Sequence, residues 1–260
     1  MTAPLNRRSK PLQRLAEATL IVAAAFAAVA CQAEAGQDVA SLQQDARPPL
    51  GLVTSLPIYW GEPAAMSDLL QGADEPHRVR ARLEEEFALV PLDLLGTGTG
   101  MPQADLAELD HLLVAQPRAL TAADNVALDR WVRAGGRLLL VLDPMMTEHS
   151  GYAIGDARRF NDVALVPPVL ARWGLAMRYA EGTAARQVTL GSVPISVEEF
   201  GILRLAGQAN GNKVCTLMAS GVMASCRIGA GEVLIVADAA FLNEDADSAP
   251  LDVILATAFG

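Results

Sequence analysis

Apolar and polar positions along this chain follow two periods, one of strands and one of helices. Residues 111–115 are an apolar run stopped by Gln116-Pro117. Ala127, Leu128, Trp131 and Val132 then recur at helical spacing and form one apolar stripe. Thr121 and Asp124 precede the stripe in a pattern that resembles a capping box. The hydroxyl serves an orphan backbone N–H, and the carboxylate sits in the positive first turn. Gly135-Gly136 ends the helix, because glycine adopts left-handed backbone without a steric penalty. Residues 138–142 are unbroken apolar, as in a strand covered on both faces. The stretch therefore predicts a parallel βαβ crossover at the centre of an α/β domain.

The same reading extends outward. Residues 50–59 are a first strand, with Pro57 taking its last residues out of the sheet. Residues 64–71 form a short helix, 77–87 a longer one with Val79, Leu83 and Phe87 in register, and 88–95 a second strand. Residues 144–162 make a long polar loop of the kind that is functional or mobile. A helix at 166–173 and a strand at 175–179 follow. After Gly182 the pattern shortens, and strands near 188–197, 202–205, 214–218 and 222–228 read as an antiparallel insertion. Residues 232–237 return to a buried parallel strand that ends at Asp238, and 251–259 form a closing helix.

The first 35 residues have a different character. Arg7, Arg8, Lys10 and Arg14 form a basic head before the apolar run 18–30. Thirteen residues are too few for a span, which takes about 20, and suit the core of a signal peptide. Small-x-small cleavage patterns follow at 28–30 and 33–35. Cys31 is a lipidation candidate, although Ala28 replaces the usual leucine of that motif. An uncleaved anchor is the third reading, and all three place the domain outside the cytoplasm, in the periplasm, membrane-anchored or secreted. Residues 36–49, ending in Arg47-Pro48-Pro49, read as a tether, which leaves 50–260 as one α/β domain.

Charge narrows the function. The chain carries −10, and without residues 1–35, which hold four Lys/Arg and two Asp/Glu, −12 remains. Such an acidic domain disfavours nucleic acid as a partner. Lys213 is the only lysine beyond the N-terminal segment. Cys215 and Cys226 flank Ser220-Gly221. If those two residues form a hairpin turn, facing residue numbers sum to 441, as those of the two cysteines do. Export then predicts a disulfide, set against the alternative of two buried thiols. The assumed turn makes them a hydrogen-bonded pair, the wider-spaced kind. No histidine lies near enough to make a zinc site with them.

Open parallel sheets bind ligands at the carboxyl ends of their strands. Here those ends carry Trp60 and Glu62, Gln116, Asp143, and Asp238 with Asn243 just beyond. Side by side, Asp143 and Asp238 would be a polar-ligand site or an acid and a base; as Asx caps they would merely hold backbone N–H groups. No Gly-x-Ser-x-Gly elbow is present, and Gly96-Thr-Gly-Thr-Gly100 lacks the lysine of a P-loop. His77, His111 and His149 have no metal-ligand spacing, so no metal or cofactor is expected.

Residues 112–117, 120–124, 128–132, 135–144 and 231–238 together resemble the periplasmic auxiliary domain of gliding-type ABC transporter systems. They also resemble related domains with a class I glutamine-amidotransferase-like fold. The resemblance implies a doubly wound, mostly parallel sheet of flavodoxin or amidotransferase type, with the antiparallel insertion near 186–228. It also implies a noncatalytic module, since Asp143 stands where an amidotransferase has its cysteine. The expected function is an exported binding or scaffold module, an accessory to an ABC-type transporter, with membrane contact through the N-terminal segment. The alternative is a periplasmic hydrolase that uses Asp143 and Asp238.

Overall fold

The computed structural model describes residues 47–61, 76–182, 185–207 and 213–260, all within one unit, Arg47–Gly260. The signal or anchor at 1–35, Cys31, nearly all of the tether, the helix expected at 64–71 and Glu62 lie outside the described residues.

Five parallel strands form the centre: β1 (Pro49–Thr54), β2 (Ala88–Pro91), β3 (His111–Ala115), β4 (Arg137–Val141) and β11 (Gly231–Val236). They lie in the order β2-β1-β3-β4-β11. Their apolar runs are explained by cover on both faces. On one face Leu113, Leu139 and Leu234 pack under α1 (Arg78–Glu86) and α5 (Ser248–Phe259). On the other, Leu112, Leu138 and Val233 pack under α3 (Ala122–Ala134) and α4 (Val169–Arg172). The protein is thus mixed α/β with a largely parallel central sheet.

The β3–α3–β4 unit forms as its pattern predicts, with β3 and β4 adjacent and parallel. Thr121 and Asp124 make the full capping box. Asp124 does more than cap: its Oδ1 accepts from Leu95 N at 3.0 Å and Gly96 N at 2.9 Å, which pins the segment after β2 to the start of α3. Gly135 ends α3 at φ 130°. Where the end of α3 approaches β11, a Cβ on Gly231 would lie 2.0 Å from Val132 O, so no larger residue fits.

The structure differs from the sequence reading in four places. The strand expected over 88–95 ends at Pro91, and a one-turn helix, α2 (Ala104–Ala107), intervenes before β3. Strand β5 (Leu175–Tyr179) leaves the main sheet and pairs antiparallel with β8 (Gly201–Leu205). The residues expected as one antiparallel insertion are divided. Strands β6 (Arg186–Leu190) and β7 (Val193–Val197) form a separate hairpin, whereas β9 (Lys213–Met218) and β10 (Met223–Ile228) extend the central sheet beyond β11. Burial explains the last division: β10 is interior, with Met223, Ala224, Cys226 and Ile228 buried, while Val214 and Leu217 on β9 are exposed.

Cys215 faces Cys226 in the β9–β10 register and the two form a disulfide. The turn is wider than two residues. Ala219, Ser220 and Gly221 all take positive φ, and the last strand pair is Met218 with Met223. Facing numbers still sum to 441, but the pairing phase shifts by one. The cysteine Cα atoms stand 4.0 Å apart, the spacing of a close, non-hydrogen-bonded pair.

Candidate functional site

Strands β1, β3, β4 and β11 deliver Ser55, Gln116, Asp143 and Asp238 to one rim. Asp143 and Asp238 each lie two residues past the paired Val141 and Val236, so they come from neighbouring strand ends.

Gln116 sits at φ 43° with its side chain turned inward and fully buried. Its Oε1 accepts from Asp143 N at 2.9 Å and its Nε2 donates to Asp143 O at 3.0 Å. The amide thus pairs with the Asp143 backbone as a neighbouring strand would. Nε2 also donates to Asn161 O at 2.9 Å. Ser55 Oγ donates to Gln116 O at 2.5 Å, and Asn161 Nδ2 donates to Pro117 O at 2.9 Å. The long loop after β4 is therefore fastened to the ends of β1 and β3.

The carboxylates continue this lacing. Asp143 Oδ1 accepts from Met145 N at 2.8 Å and Oδ2 from Ala239 N at 2.9 Å. Asp238 Oδ1 accepts from Ala240 N at 2.9 Å and Oδ2 from Glu198 N at 3.0 Å. Each aspartate thus closes an Asx turn with one oxygen and clasps a distant segment with the other. Both are 1% exposed. Burial pushes the Asp143 carboxyl up to about 6 against its backbone hydrogen bonds, with Glu199 adding to the rise. Burial pushes Asp238 up to about 7, helped by the charges of Asp143 and Glu198. Two carboxyls that titrate near neutrality have the acidity for acid–base work, but every oxygen here already holds a backbone N–H.

The remaining candidates are dispersed. Trp60 is 85% exposed and stands edge-on to Tyr59 at 4.8 Å, and the Arg80 guanidinium covers the Tyr59 ring at 4.7 Å. Asn243 holds Arg78 Nε through its carbonyl at 2.8 Å and reaches Thr147 Oγ1 at 3.4 Å. The rim thus gathers Gln116, Asp143 and Asp238 and leaves Trp60 and Asn243 apart. Ser55, Asn161 and Glu198 are participants that sequence reasoning missed. Ser55 follows a β-strand as the three recognised residues do, which was a usable signal; Asn161 and the backbone of Glu198 gave none. Among the described residues no group of three or more His, Cys, Asp or Glu is placed to hold a metal.

A family model described as an ABC-type uncharacterized transport system matches residues 47–193, more than half of the chain. The chain belongs to this ABC-transport auxiliary family. Trp60, Gln116 and Asp143 fall within the auxiliary-family match, whereas Asp238, Asn243 and the disulfide hairpin lie beyond it. No curated protein matches the chain. Among solved structures it is similar to the exo-β-1,4-mannosidase Op5Man5 from Opitutaceae bacterium strain TAV5, at 16% identity and TM-score 0.45, over 76% of this chain and 32% of that one. The β-galactosidases from Rahnella sp. R3 and Bacillus circulans sp. alkalophilus follow at 11% and 12% identity, each with TM-score 0.44, over 81% of this chain and 31% of theirs. The chain spans about a third of the length of each. Likeness at this level assigns no activity to an auxiliary-family member.

Proposed function

We propose that this protein is a noncatalytic module of the cell envelope, exported and tethered through its N-terminal segment, that serves as an accessory to an ABC-type transport system. Membership of the auxiliary family supports the association. The observation that carries the noncatalytic part is the state of Asp143. By the resemblance it stands where an amidotransferase has its cysteine, and both its oxygens are spent on backbone N–H groups. The parallel order β2-β1-β3-β4-β11 matches the 2-1-3-4-5 order of flavodoxin-like sheets, which supports a doubly wound domain of that type. The basic head and apolar run within residues 1–35 support export, and Cys31 is the residue that lipidation would use.

Affinity purification from gently solubilised native membranes tests this reading. The expected result is co-recovery of transport subunits in stoichiometric amount. Recovery of none, with the protein itself intact, overturns it. Mass spectrometry of the mature N-terminus distinguishes a cleaved, a lipidated and an uncleaved segment.

The hydrolase alternative draws support from two neighbouring carboxyls raised to about 6 and about 7. Against it, both side chains are buried and their oxygens face backbone donors, not a space that substrate or water enters. Burial and neighbouring like charge raise the same pKa values in purely structural pairs.

A further inference from the structure

The rim is closed by its own hydrogen bonds, and an open apolar surface lies elsewhere. A recess of about 510 Å³ lies between α3 and the turn into α4, walled by Leu120, Val126, Pro168 and Val169. Val126 is 44% exposed and stands outside the helix stripe that packs on the sheet. Exposed apolar residues adjoin the recess walls, by packing or in the chain. Gly100 packs against Val126 and leads to Met101, which is 53% exposed; Val166, 43% exposed, lies two residues before Pro168.

The charges along this recess are Arg130, Arg172 and Asp129. Asp129 is 4% exposed, and its oxygens are committed to Arg133, Arg172 and the Trp173 indole N–H. Three guanidinium groups, Arg130, Arg133 and Arg172, thus stand against the one carboxylate that lines the recess, which leaves its margin net basic on a chain whose net charge is −10. A largely apolar recess with a net basic margin fits a helix whose apolar stripe is flanked by acids. The alternative occupant, a lipid surface, usually meets protruding apolar side chains and interfacial Trp or Tyr. This face is concave, and its lining holds neither aromatic.

We propose that the α3–α4 trough docks an amphipathic helix of a partner polypeptide, with Val126 at the centre of the apolar contact and Arg130 meeting a carboxylate on the helix. The proposal rests on the accessory reading only in expecting that the partner is a transport subunit. The test uses the full chain and two synthetic amphipathic helices with the same leucine stripe, one flanked by glutamates and one by lysines, followed by fluorescence anisotropy. The glutamate-flanked peptide is expected to bind at least about tenfold more tightly, against the pull of the net charge. Val126→Asp and Arg130→Glu are each expected to weaken it by about tenfold or more. Both are surface changes, and circular dichroism confirms folding. Absence of binding by the acidic peptide, equal or tighter binding of the lysine peptide, or variants that bind like the parent overturn the proposal. So does adsorption to phosphatidylglycerol vesicles that Val126→Asp abolishes, which would mark a lipid face. In the membrane purification, equal recovery of transport subunits by the parent and Val126→Asp leaves the accessory role standing and overturns the trough.

Discussion

Replacing Gln116 by methionine tests whether the strand-end polar residues are structural lacing. Methionine is unbranched and of similar length, so it fills the same space while removing the amide. Three hydrogen bonds go: from Asp143 N, to Asp143 O and to Asn161 O. Asp143 O keeps a bond from Ala164 N at 2.7 Å, so its loss is partial. The Asp143 N–H loses its acceptor while buried, which costs about 1–3 kcal/mol. Adding the weaker losses at the two carbonyls gives roughly 2–5 kcal/mol, a large share of the roughly 5–15 kcal/mol that stabilises a typical domain. Urea unfolding followed by tryptophan fluorescence measures it, with a thermal shift of about 2–4 °C per kcal/mol expected at this size. Gln116→Glu should be as damaging or worse. It keeps an acceptor for Asp143 N but turns a carboxylate oxygen toward the Asp143 carbonyl. A Gln116→Met protein within about 0.5 kcal/mol of the parent, the range of an ordinary surface change, would refute the reasoning and return Gln116 to the list of groups available to a ligand.

Stability should depend on pH through Asp143 and Asp238. Their folded pKa values lie above those of an unfolded aspartate, so their contribution is full below about pH 4 and is lost as pH rises through about 6 and 7. Burial lowers the pKa values of His77 and His111, which work in the opposite direction, so the informative measurement is the difference between parent and Asp238→Asn across pH 5–8. The variant should give the flatter curve, and parallel curves would contradict the assignment. Reducing the Cys215–Cys226 bridge, whose partners are 11 residues apart, should cost about 3 kcal/mol by loop-closure entropy, measured as the change in urea midpoint with dithiothreitol. An unchanged midpoint would mean that the hairpin is held by its sheet contacts alone. Gly231→Ala forces a Cβ against Val132 O, 2.0 Å away in the present backbone, and should destabilise by at least about 2 kcal/mol in the same assay.

Local chemistry made much of the scaffold legible. The β3–α3–β4 unit is written in a capping box, a helical stripe and a glycine stop, all of which act within a few residues. The cysteine register needed only a symmetric hairpin. The width of its turn was not readable, because Ala219 at φ 47° adopts a conformation that alanine rarely takes. The departure of β5 from the main sheet was also hidden. Its alternation suits either sheet, and its partner β8 lies beyond an intervening hairpin. At the rim, sequence reading put Asp143 and Asp238 at strand ends, left their adjacency open and could not choose between cap and site. An Asx cap and a catalytic carboxylate use the same residue after the same strand, and the choice is made by Ala239 and Glu198, whose backbone N–H groups arrive from elsewhere. Val126 did carry a signal, as an apolar residue at helix spacing outside the stripe that faces the sheet.

The two polar layers of this domain therefore have opposite roles. In an open parallel sheet the strand ends leave backbone N–H groups pointing at a crevice, and an enzyme leaves some of them for its substrate. Here Gln116, Asp143 and Asp238 occupy those donors with side-chain oxygens, in a chain that runs from β3 to β4 to β11. A donor satisfied in this way stiffens the rim and is at once closed to a substrate, so both effects have one physical cause. The outer face of α3 is the reverse case. Arg130 ties α3 to Gly100 O at 2.8 Å, and Val126 beside it remains open to solvent although burial would stabilise it by about 1–2 kcal/mol. The rim's donors are met within the chain, whereas Val126 at the α3–α4 recess is the open contact that the proposed partner helix would cover.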